Sequence, residues 1–342
     1  MTRVAVLTGG STPERDVAFA GAAQVVAALR TLGYDVTAVD TTSGELNPAD
    51  EARYLRAAVG ATPPDRDELA RLQTKELGSA LVALPAVRNA DLVFPVLHGR
   101  QGEGGELQAL LELAGVPYAG SGPLGSAMAL DKDVAKRLFR VAGVPTPDWL
   151  MWPAARADIA ALGLPLVVKP TKVGSTVGLT VVGDPRGIAP AVAEAQQYDD
   201  EVMLERFVPG REFTVGLLAD RALAVGEIIP RHEIFDYECK YTPGMTQEIF
   251  PAQIPKELET RLRDLSLAAH NALKLRDFSR ADFRVTPAGE PYCLEVNTLP
   301  GLTRTSLLPQ SAAAVGIDFP ALCDTICRRA LARVPRRNKV VP

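Results

Sequence analysis

Two apolar segments near the C-terminus constrain the fold most, because each carries polar residues where a strand would bury them. The first reads FSRADFRV at positions 278–285 and contains Asp282. The second begins PYCLEV at position 291 and contains Glu295 and Asn297. Residues two apart on a strand point to the same face, so Glu295 and Asn297 share one face. A hairpin between the two segments would bring all three oxygen-bearing side chains together.

An oxygen-rich cluster of this kind matches the ligands of Mg²⁺, which binds carboxylates, waters and substrate phosphates. The alternative is a strand end with solvated acids. Charged groups inside apolar strands need a partner, and a metal ion is the economical one. The two segments therefore predict a magnesium site at Asp282, Glu295 and Asn297.

A glycine-rich loop follows another apolar strand in the middle of the chain. The strand PLVVKP carries Lys169 near its end, and the loop TKVGSTVG contains Gly174, Ser175, Thr176 and Gly178. Backbone N–H groups and hydroxyls in such a loop can enclose phosphates, and Lys169 adds positive charge. The order of the glycines and the lysine excludes a Walker A loop. A glycine-rich hairpin without a ligand is the alternative interpretation.

Two glutamates flank a short turn in the segment LERFVPGREFTV. Acidic side chains at Glu205 and Glu212 could bind an adenine amino group and ribose hydroxyls, while strand backbone at Arg206 and Val208 would meet the purine edge. Two glutamates near a turn more often form a solvated face. Combined with the acidic cluster and the glycine loop, the segment predicts a site for a nucleotide and magnesium.

The order of apolar segments predicts a fold that is α/β at the start and α+β afterwards. RVAVL at 3–7 indicates a strand, 17–32 has helical spacing and 36–39 indicates a second strand, which is typical of a parallel α/β domain. The loop GGSTPE lacks the GxGxxG fingerprint, which argues against a nicotinamide cofactor. The predicted units are an N-terminal domain at 1–125, a central unit at 126–212 and a C-terminal unit at 213–342.

Composition and charge exclude several other classes of protein. The 342 residues are 47% hydrophobic and 23% charged, as in an ordinary soluble enzyme. A net charge of -4 gives no general attraction to nucleic acid or to an anionic membrane. The start MTRVAVLTGG is not a secretory signal and no segment has the ~20 apolar residues of a membrane span, so we expect a cytoplasmic protein. The four cysteines lack the partners of a zinc site and are expected to be reduced thiols.

Taken in order, these motifs resemble the ATP-grasp enzymes and, within them, the D-alanine–D-alanine ligase family. The resemblance covers nearly the whole chain, and its most specific part is LEVNTLPGLTRTSLLP at 294–309. The other matching segments are GGSTPERDV at 9–17, LHGRQGEGG at 97–105, GVPYAGSG at 115–122, LDK at 130–132, KPTKVGSTVG at 169–178, YECKYTPG at 237–244 and SRADF at 279–283.

The resemblance implies an ATP-grasp fold and ligation of two D-alanines through an acyl phosphate, for peptidoglycan precursor synthesis. It also implies ATP, two Mg²⁺ or Mn²⁺ ions per site, and a homodimer. On the first-substrate side, Glu14 looks like the carboxylate that binds the ammonium group, with Ser175 and Tyr241 as its hydrogen-bonding companions. His98 looks like the residue near the carboxylate of that substrate.

The resemblance also assigns residues to the phosphates and to the second substrate. Arg280 and the Gly301 N–H look like the groups that stabilise the tetrahedral oxyanion. Ser306 and Leu307 look like the pocket for the carboxylate of the second D-alanine. The implied phosphate-binding lysines are Lys132, Lys169 and Lys240.

Each of these residues alone also has a simpler interpretation: Glu14 as a helix cap, His98 as a loop histidine, Tyr241 as a loop aromatic, and Arg280 as the partner of an acid. Their occurrence together in the family's order favours the site. The chain departs from the family pattern at Ala18-Phe19, at Gly104 and at Glu106, all on the first-substrate side.

Three other functions remain open on the sequence. A D-alanine–D-lactate ligase would keep the chemistry and change the acceptor, but YECKYTPG, with tyrosine after lysine, resembles the dipeptide-forming type. Another ATP-grasp ligase with a different acyl donor is compatible with the departures at Ala18 and Gly104. A non-catalytic ATP-binding protein would need to lack a metal ligand or a lysine, and none is missing.

Overall fold

The computed structural model describes residues 1–56, 65–232, 235, 239, 242 and 244–333. The N-terminal unit has a four-stranded sheet of order β3-β2-β1-β4. Its strands are β1 (Arg3–Thr8), β2 (Asp35–Asp40), β3 (Gly44–Glu45) and β4 (Leu92–Pro95). β1 pairs in parallel with β2 and with β4, and only the short β3 is antiparallel. Parallel strands are covered on both faces, which explains why β1 and β4 are continuous apolar runs.

Helices surround this sheet. They are α1 (Arg15–Thr31), α2 (Pro48–Tyr54), α3 (Arg66–Gln73), a 3₁₀ turn (Gly78–Ala83), α4 (Pro85–Arg88), α5 (Arg100–Glu103) and α6 (Glu106–Leu113). Two further helices, α7 (Pro123–Leu130) and α8 (Lys132–Val141), lead out of the unit. α8 begins at Lys132 because the Asp131 side chain accepts the backbone N–H of Val134, which caps the helix.

The central unit is an antiparallel sheet of order β5-β8-β6-β7. Its elements are β5 (Trp149–Met151), α9 (Arg156–Leu162), β6 (Leu166–Pro170), β7 (Thr180–Val182), a 3₁₀ turn (Pro185–Gly187), α10 (Ile188–Ala195) and β8 (Val202–Arg206). One face of the sheet packs on α9 and α10 through Leu162, Leu166, Val192 and Leu204. The glycine-rich loop connects β6 to β7 along the edge of this sheet.

The C-terminal unit has a five-stranded antiparallel sheet of order β11-β10-β9-β12-β13. Its elements are β9 (Arg211–Leu218), β10 (Arg221–Pro230), β11 (Thr246–Ile249), α12 (Lys256–Ala272), β12 (Phe278–Val285), β13 (Pro291–Asn297), α13 (Leu307–Ala313) and α14 (Phe319–Ala332). The fold class predicted from the sequence, a parallel α/β unit followed by two α+β units, is confirmed.

The units share cores. The last helix, α14, packs against α1, so Phe319 and Ile326 belong to the same apolar cluster as Phe19 and Leu29. Phe139 of α8 packs into the cluster under the C-terminal sheet. Strand β9 begins at Arg211, two residues before the predicted start of the C-terminal unit, and the domain limits given above stay predictions.

Two further expectations concern the whole chain. Cys239, Cys293, Cys323 and Cys327 are all buried, and their reduced state stays a prediction. Among the described helices, none has both the length and the apolar character that crossing a membrane requires.

Candidate active site

The hairpin predicted near the C-terminus is formed by β12 and β13. Asp282 lies opposite Glu295, and the register shifts by a bulge directly after Asp282. The amide nitrogen of Asn297 donates to Asp282 Oδ2 over 2.9 Å. Thr214 on the neighbouring strand donates to Asp282 Oδ1 over 2.7 Å. The antiparallel register therefore brings the three oxygen-bearing side chains to one place.

The two carboxylates of this cluster are also paired with cations of the chain. Arg280 donates from Nε and Nη2 to the two oxygens of Asp282, over 2.9 and 2.7 Å. Lys132 Nζ lies 3.1 Å from Glu295 Oε2. These cations supply part of the compensation that buried carboxylates need. Three oxygen donors on adjacent strands still fit a hard divalent cation, which takes carboxylate and amide oxygens.

The glycine loop is held at its base and strained at its tip. Lys132 donates from Nζ to the carbonyl of Val173 over 3.0 Å, and the backbone N–H of Lys172 donates to Asp199 Oδ2 over 2.8 Å. At the tip, Ser175 and Thr176 have φ of 52° and 59°. This left-handed region is unfavourable for residues with a side chain, so contacts at the tip must stabilise it.

A cavity lies between the glycine loop and the hairpin. Its lining combines residues of the central and C-terminal units, including Lys132, Lys169, Val208, Glu212, Arg280 and Glu295. The predicted phosphate-binding and metal-binding side chains thus face the same space. Cationic side chains and backbone N–H groups around one cavity are suited to a polyphosphate.

A buried ion cluster supports one wall of this cavity, and the sequence analysis missed one of its members. Glu205 Oε1 lies 2.7 Å from Lys169 Nζ, and its Oε2 lies 2.5 Å from the fully buried Lys136 Nζ. Lys136 also donates to Thr146 Oγ1 over 2.8 Å. Burial lowers the pKa of Lys136 to about 8, although the charge of Glu205 opposes this shift. The two ammonium groups lower the pKa of Glu205 despite its burial.

The cluster adds a structural role to the one predicted for Glu205. Each of its carboxylate oxygens accepts a hydrogen bond from a lysine, Lys136 or Lys169, and the residue also lines the cavity, so the adenine contact stays a prediction. A signal for Lys136 was available, because Lys132 and Lys136 are four apart on α8 beside the buried Ala135 and Phe139. A lysine on a buried helix face needs an anion, and Glu205 is that anion.

The other residues proposed for the adenosine have different surroundings. Val208 is buried and its carbonyl accepts from Arg284 Nε over 3.1 Å. Arg284 Nη1 lies 3.3 Å from Glu212 Oε2. Arg206 is exposed and pairs with Asp148 over 3.1 Å. All three proposed residues line the cavity, and Val208 is one of its apolar residues.

The first-substrate side is built by the N-terminal unit. Glu14 directly precedes α1 but does not cap it with its side chain. Instead, Ser175 Oγ donates to Glu14 Oε1 over 2.5 Å, which joins the glycine loop to the N-terminal unit. His98 is buried and its Nε2 has no hydrogen-bond partner among the described residues. Burial lowers the pKa of His98, an effect that Glu14 opposes and Arg280 reinforces.

Family models match both parts of the chain. The model described as D-ala D-ala ligase N-terminus matches residues 3–121, and that described as D-ala D-ala ligase C-terminus matches residues 138–328. The chain belongs to the D-alanine–D-alanine ligase family. A D-alanine--D-alanine ligase from Anaeromyxobacter sp. (strain Fw109-5) is 41% identical over 329 residues, which are 95% of each chain.

Solved structures agree with this assignment. The D-alanine--D-alanine ligase from Bacillus anthracis complexed with ATP superposes with a TM-score of 0.76 at 29% identity, covering 97% of this chain and 98% of the other. The VanG D-Ala:D-Ser ligase from Enterococcus faecalis gives a TM-score of 0.77 at 29% identity, with 96% and 99% coverage. The resemblance drawn from the motifs and the ATP-grasp fold it implied are thereby confirmed.

A second residue missed by the sequence analysis is Glu103, in the segment HGRQGEGG at 98–105. Its Oε2 accepts the backbone N–H of Gly99 over 2.9 Å, and its Oε1 accepts that of Leu299 over 3.3 Å. Burial and the charge of Glu14 raise the pKa of Glu103 to about 7, although both hydrogen bonds lower it. A glutamate between glycines in a loop gave no signal of a distant partner.

The region proposed for the second substrate lies after β13. Ser306 Oγ accepts the backbone N–H of Thr303 over 3.1 Å. A Cβ at Gly301 would lie 2.9 Å from Ser306 Oγ, so a larger residue at position 301 would displace the Ser306 hydroxyl. Leu307 is buried in a small apolar cluster with Ile228. Lys240 and Tyr241 lie outside the described residues.

The departures from the ligase pattern have structural explanations. Ala18 and Phe19 are both buried in α1, and the Phe19 ring stacks on Tyr54 with 5.5 Å between centroids. At Gly104, a Cβ would lie 2.5 Å from the carbonyl oxygen of Arg100 and would collide with the Glu106 carboxylate. Arg100 Nε and Glu106 Oε1 pair over 2.9 Å in that space. The ion pair therefore occupies the place of a side chain at position 104.

Proposed function

We propose that this chain is an ATP-dependent D-alanine–D-alanine ligase that forms D-alanyl-D-alanine, ADP and phosphate. The observation that carries the proposal is the bond between Glu14 and Ser175, which joins the carboxylate that we assign to the ammonium group to the glycine-rich loop. Family membership over both parts of the chain supports the same reaction. The product serves peptidoglycan precursor synthesis.

The reaction needs activation, because the oxygen of a free carboxylate is a poor leaving group. The carboxylate of the first D-alanine attacks the γ-phosphorus of ATP, the bond to the β-phosphate breaks, and ADP leaves. The amine of the second D-alanine then attacks the acyl carbon of the acyl phosphate. The carbon–oxygen bond breaks, inorganic phosphate leaves, and the amine loses a proton. Catalysis of both steps rests mainly on positioning and charge neutralisation.

Side chains around the cavity fit these two steps. Glu14, oriented by Ser175, binds the ammonium of the first D-alanine, and His98 lies near its carboxylate. Lys132 and Lys169 neutralise phosphate charge, and the buried Glu205 keeps Lys169 in place. Lys240 and Tyr241 are assigned to the same region by the family motif alone.

The hairpin residues complete the proposal. Asp282, Glu295 and Asn297 would hold magnesium, which neutralises charge on the phosphates when bound. Arg280, fixed by its two bonds to Asp282, and the Gly301 N–H stabilise the oxyanion of the second step. Ser306 and Leu307 bind the carboxylate of the second D-alanine. Because the reaction consumes ATP, we place it in the cytoplasm, and we expect a homodimer as the resemblance implies.

The test is an assay of the purified full-length protein with ATP, Mg²⁺ and D-alanine. We expect ADP formation that depends on D-alanine and a product with the mass of the dipeptide, while L-alanine serves as the stereochemical control. If D-alanine releases no more phosphate than its omission, the ligase proposal is wrong.

A competition with equal D-alanine, D-lactate and D-serine tests the acceptor. D-serine is included because one structural neighbour is a D-Ala:D-Ser ligase. The relatives named D-alanine--D-alanine ligase lead us to expect the dipeptide of D-alanine as the main product. A majority of D-alanyl-D-lactate or D-alanyl-D-serine at neutral pH would contradict the acceptor assignment and leave the ATP-dependent step intact.

A further inference from the structure

One carboxylate connects the histidine loop of the N-terminal unit to the turn that follows β13. Glu103 accepts the Gly99 N–H on one oxygen over 2.9 Å and the Leu299 N–H on the other over 3.3 Å. Glu103 and Leu299 are 196 residues apart in the chain. The second bond therefore fixes two separate parts of the site relative to each other.

Packing also holds Leu299 in place. The side chain of Leu299 is only 4% exposed and packs in the cluster that contains Val96, two residues before His98. Pro300 follows and restricts the backbone further. The position of Gly301, two residues after Leu299, is thus set from the N-terminal unit.

The surroundings of Glu103 argue that it does more than stabilise a loop. The negative charges of Glu14 and Glu295 both act on this carboxylate. Across the ranges that the structure describes, Glu103 forms no ion pair with a lysine or arginine. A charge near two like charges is unfavourable. A glutamine would avoid that repulsion, but its single oxygen cannot replace a carboxylate that accepts an N–H group on each oxygen.

We infer that Glu103 is a positioning residue for the second chemical step. By holding the Leu299 peptide, it fixes the Gly301 N–H that we assign to the oxyanion. The inference rests on the proposed function, in which Gly301 stabilises the oxyanion. It predicts that the two steps depend on Glu103 differently, since the phosphate-binding lysines of the first step have other supports.

The test compares Glu103→Gln with the unmodified enzyme in single-turnover reactions, measuring ADP and dipeptide in the same samples. We expect ADP formation within about twofold of the unmodified rate and dipeptide formation slowed by about 10- to 100-fold, the loss that a misplaced catalytic group produces. Steady-state phosphate release should then exceed dipeptide formation, because unreacted acyl phosphate hydrolyses.

Glu45→Gln is the matched control. Glu45 Oε1 also accepts a backbone N–H from a distant segment of the same unit, that of Ala86 over 2.7 Å, but it lies at an exposed edge strand. Glu45→Gln should still release one phosphate for each dipeptide that it forms. Glu103→Ala removes both acceptor oxygens and should slow the second step further. ATP affinity and the midpoint of urea unfolding show whether each Glu103 variant is folded.

The outcomes distinguish a failure of the positioning role of Glu103 from a failure of the proposed function. Equal slowing of both steps in Glu103→Gln, no slowing of either, or the same uncoupling in Glu45→Gln would overturn the positioning role. Loss of ATP binding in both Glu103 variants would also overturn it, since that result shows a general structural role. An unmodified enzyme without D-alanine-dependent ADP formation would instead overturn the proposed function.

Discussion

Ser175 and Glu14 are 161 residues apart, yet Ser175 Oγ donates to Glu14 Oε1 over 2.5 Å. The bond joins the tip of the glycine loop to the start of α1. It also offsets backbone strain, because Ser175 and Thr176 at this tip have φ of 52° and 59°. We therefore propose that the conformation of the loop and binding of the first substrate are coupled through this hydrogen bond.

The first prediction is that Ser175→Ala weakens both functions of this bond. Loss of a hydrogen bond to a charged group costs about 1.5–3 kcal/mol, which corresponds to a fall in kcat/KM for D-alanine of roughly 10- to 100-fold. Ser43→Ala is the matched control, because Ser43 Oγ donates to Asp40 Oδ2 over 2.9 Å away from the cavity. Steady-state kinetics of both variants measure kcat/KM for D-alanine. A value for Ser175→Ala equal to that of Ser43→Ala would contradict the coupling.

The second prediction concerns the hairpin cluster. Glu295→Gln removes one charge without a change in size, so we expect a folded protein with turnover reduced below detection at millimolar Mg²⁺. Glu295 also faces Lys132 over 3.1 Å, and this pair is lost too. The measurement is turnover across a magnesium titration, with circular dichroism as the folding check.

Glu290→Gln controls for charge on the same hairpin, because Glu290 lies in its turn and makes only a 3.5 Å exposed pair with Arg261. It should keep the unmodified magnesium dependence. Turnover of Glu295→Gln with an unchanged magnesium requirement would remove Glu295 from the proposed metal site.

Local sequence patterns predicted many elements correctly. The strands predicted at 3–7 and 36–39 and the helix predicted at 17–32 correspond to β1 (Arg3–Thr8), β2 (Asp35–Asp40) and α1 (Arg15–Thr31), because apolar runs and helical spacing are local signals. The hairpin of β12 and β13 was also predicted, since alternation along each strand fixes which side chains share a face.

Two residues whose roles depend on distant partners, Lys136 and Glu103, were not predicted. Lys136 and Glu205 pair across 69 residues, and Glu103 and Leu299 across 196. A single sequence reports local periodicity but carries no information about which separate segments meet.

The third prediction tests the buried ion cluster. Glu205→Gln leaves two ammonium groups, those of Lys136 and Lys169, without their shared anion, and removing one partner of a buried pair typically costs about 3–5 kcal/mol. The free energy of unfolding in urea should fall by that amount. Glu201→Gln is the control, since the pair of Glu201 with Lys172 is more exposed and worth at most ~1 kcal/mol. A loss below about 1 kcal/mol in Glu205→Gln would contradict the prediction.

The last prediction links Glu103 to pH. Burial and the charges of Glu14 and Glu295 raise the pKa of Glu103 to about 7, above the ordinary value of 4.5. Between pH 4.5 and about pH 7, the Glu103 carboxyl is protonated in a larger fraction of folded molecules than of unfolded ones. The stability that Glu103 contributes is therefore fully present below about pH 4.5 and is lost as pH rises through about 7, with a slope of at most ~1.4 kcal/mol per pH unit.

Glu103→Gln cannot titrate at this position, so the difference in unfolding free energy between the unmodified protein and this variant should change in that window. Urea denaturation from pH 5 to pH 8 measures it, and the unmodified protein should lose stability relative to Glu103→Gln as pH rises. Glu45→Gln should run parallel to the unmodified protein, because Glu45 lies on an exposed edge strand. Parallel curves for Glu103→Gln as well would show that its carboxyl ionises at the same pH in the folded and unfolded chains.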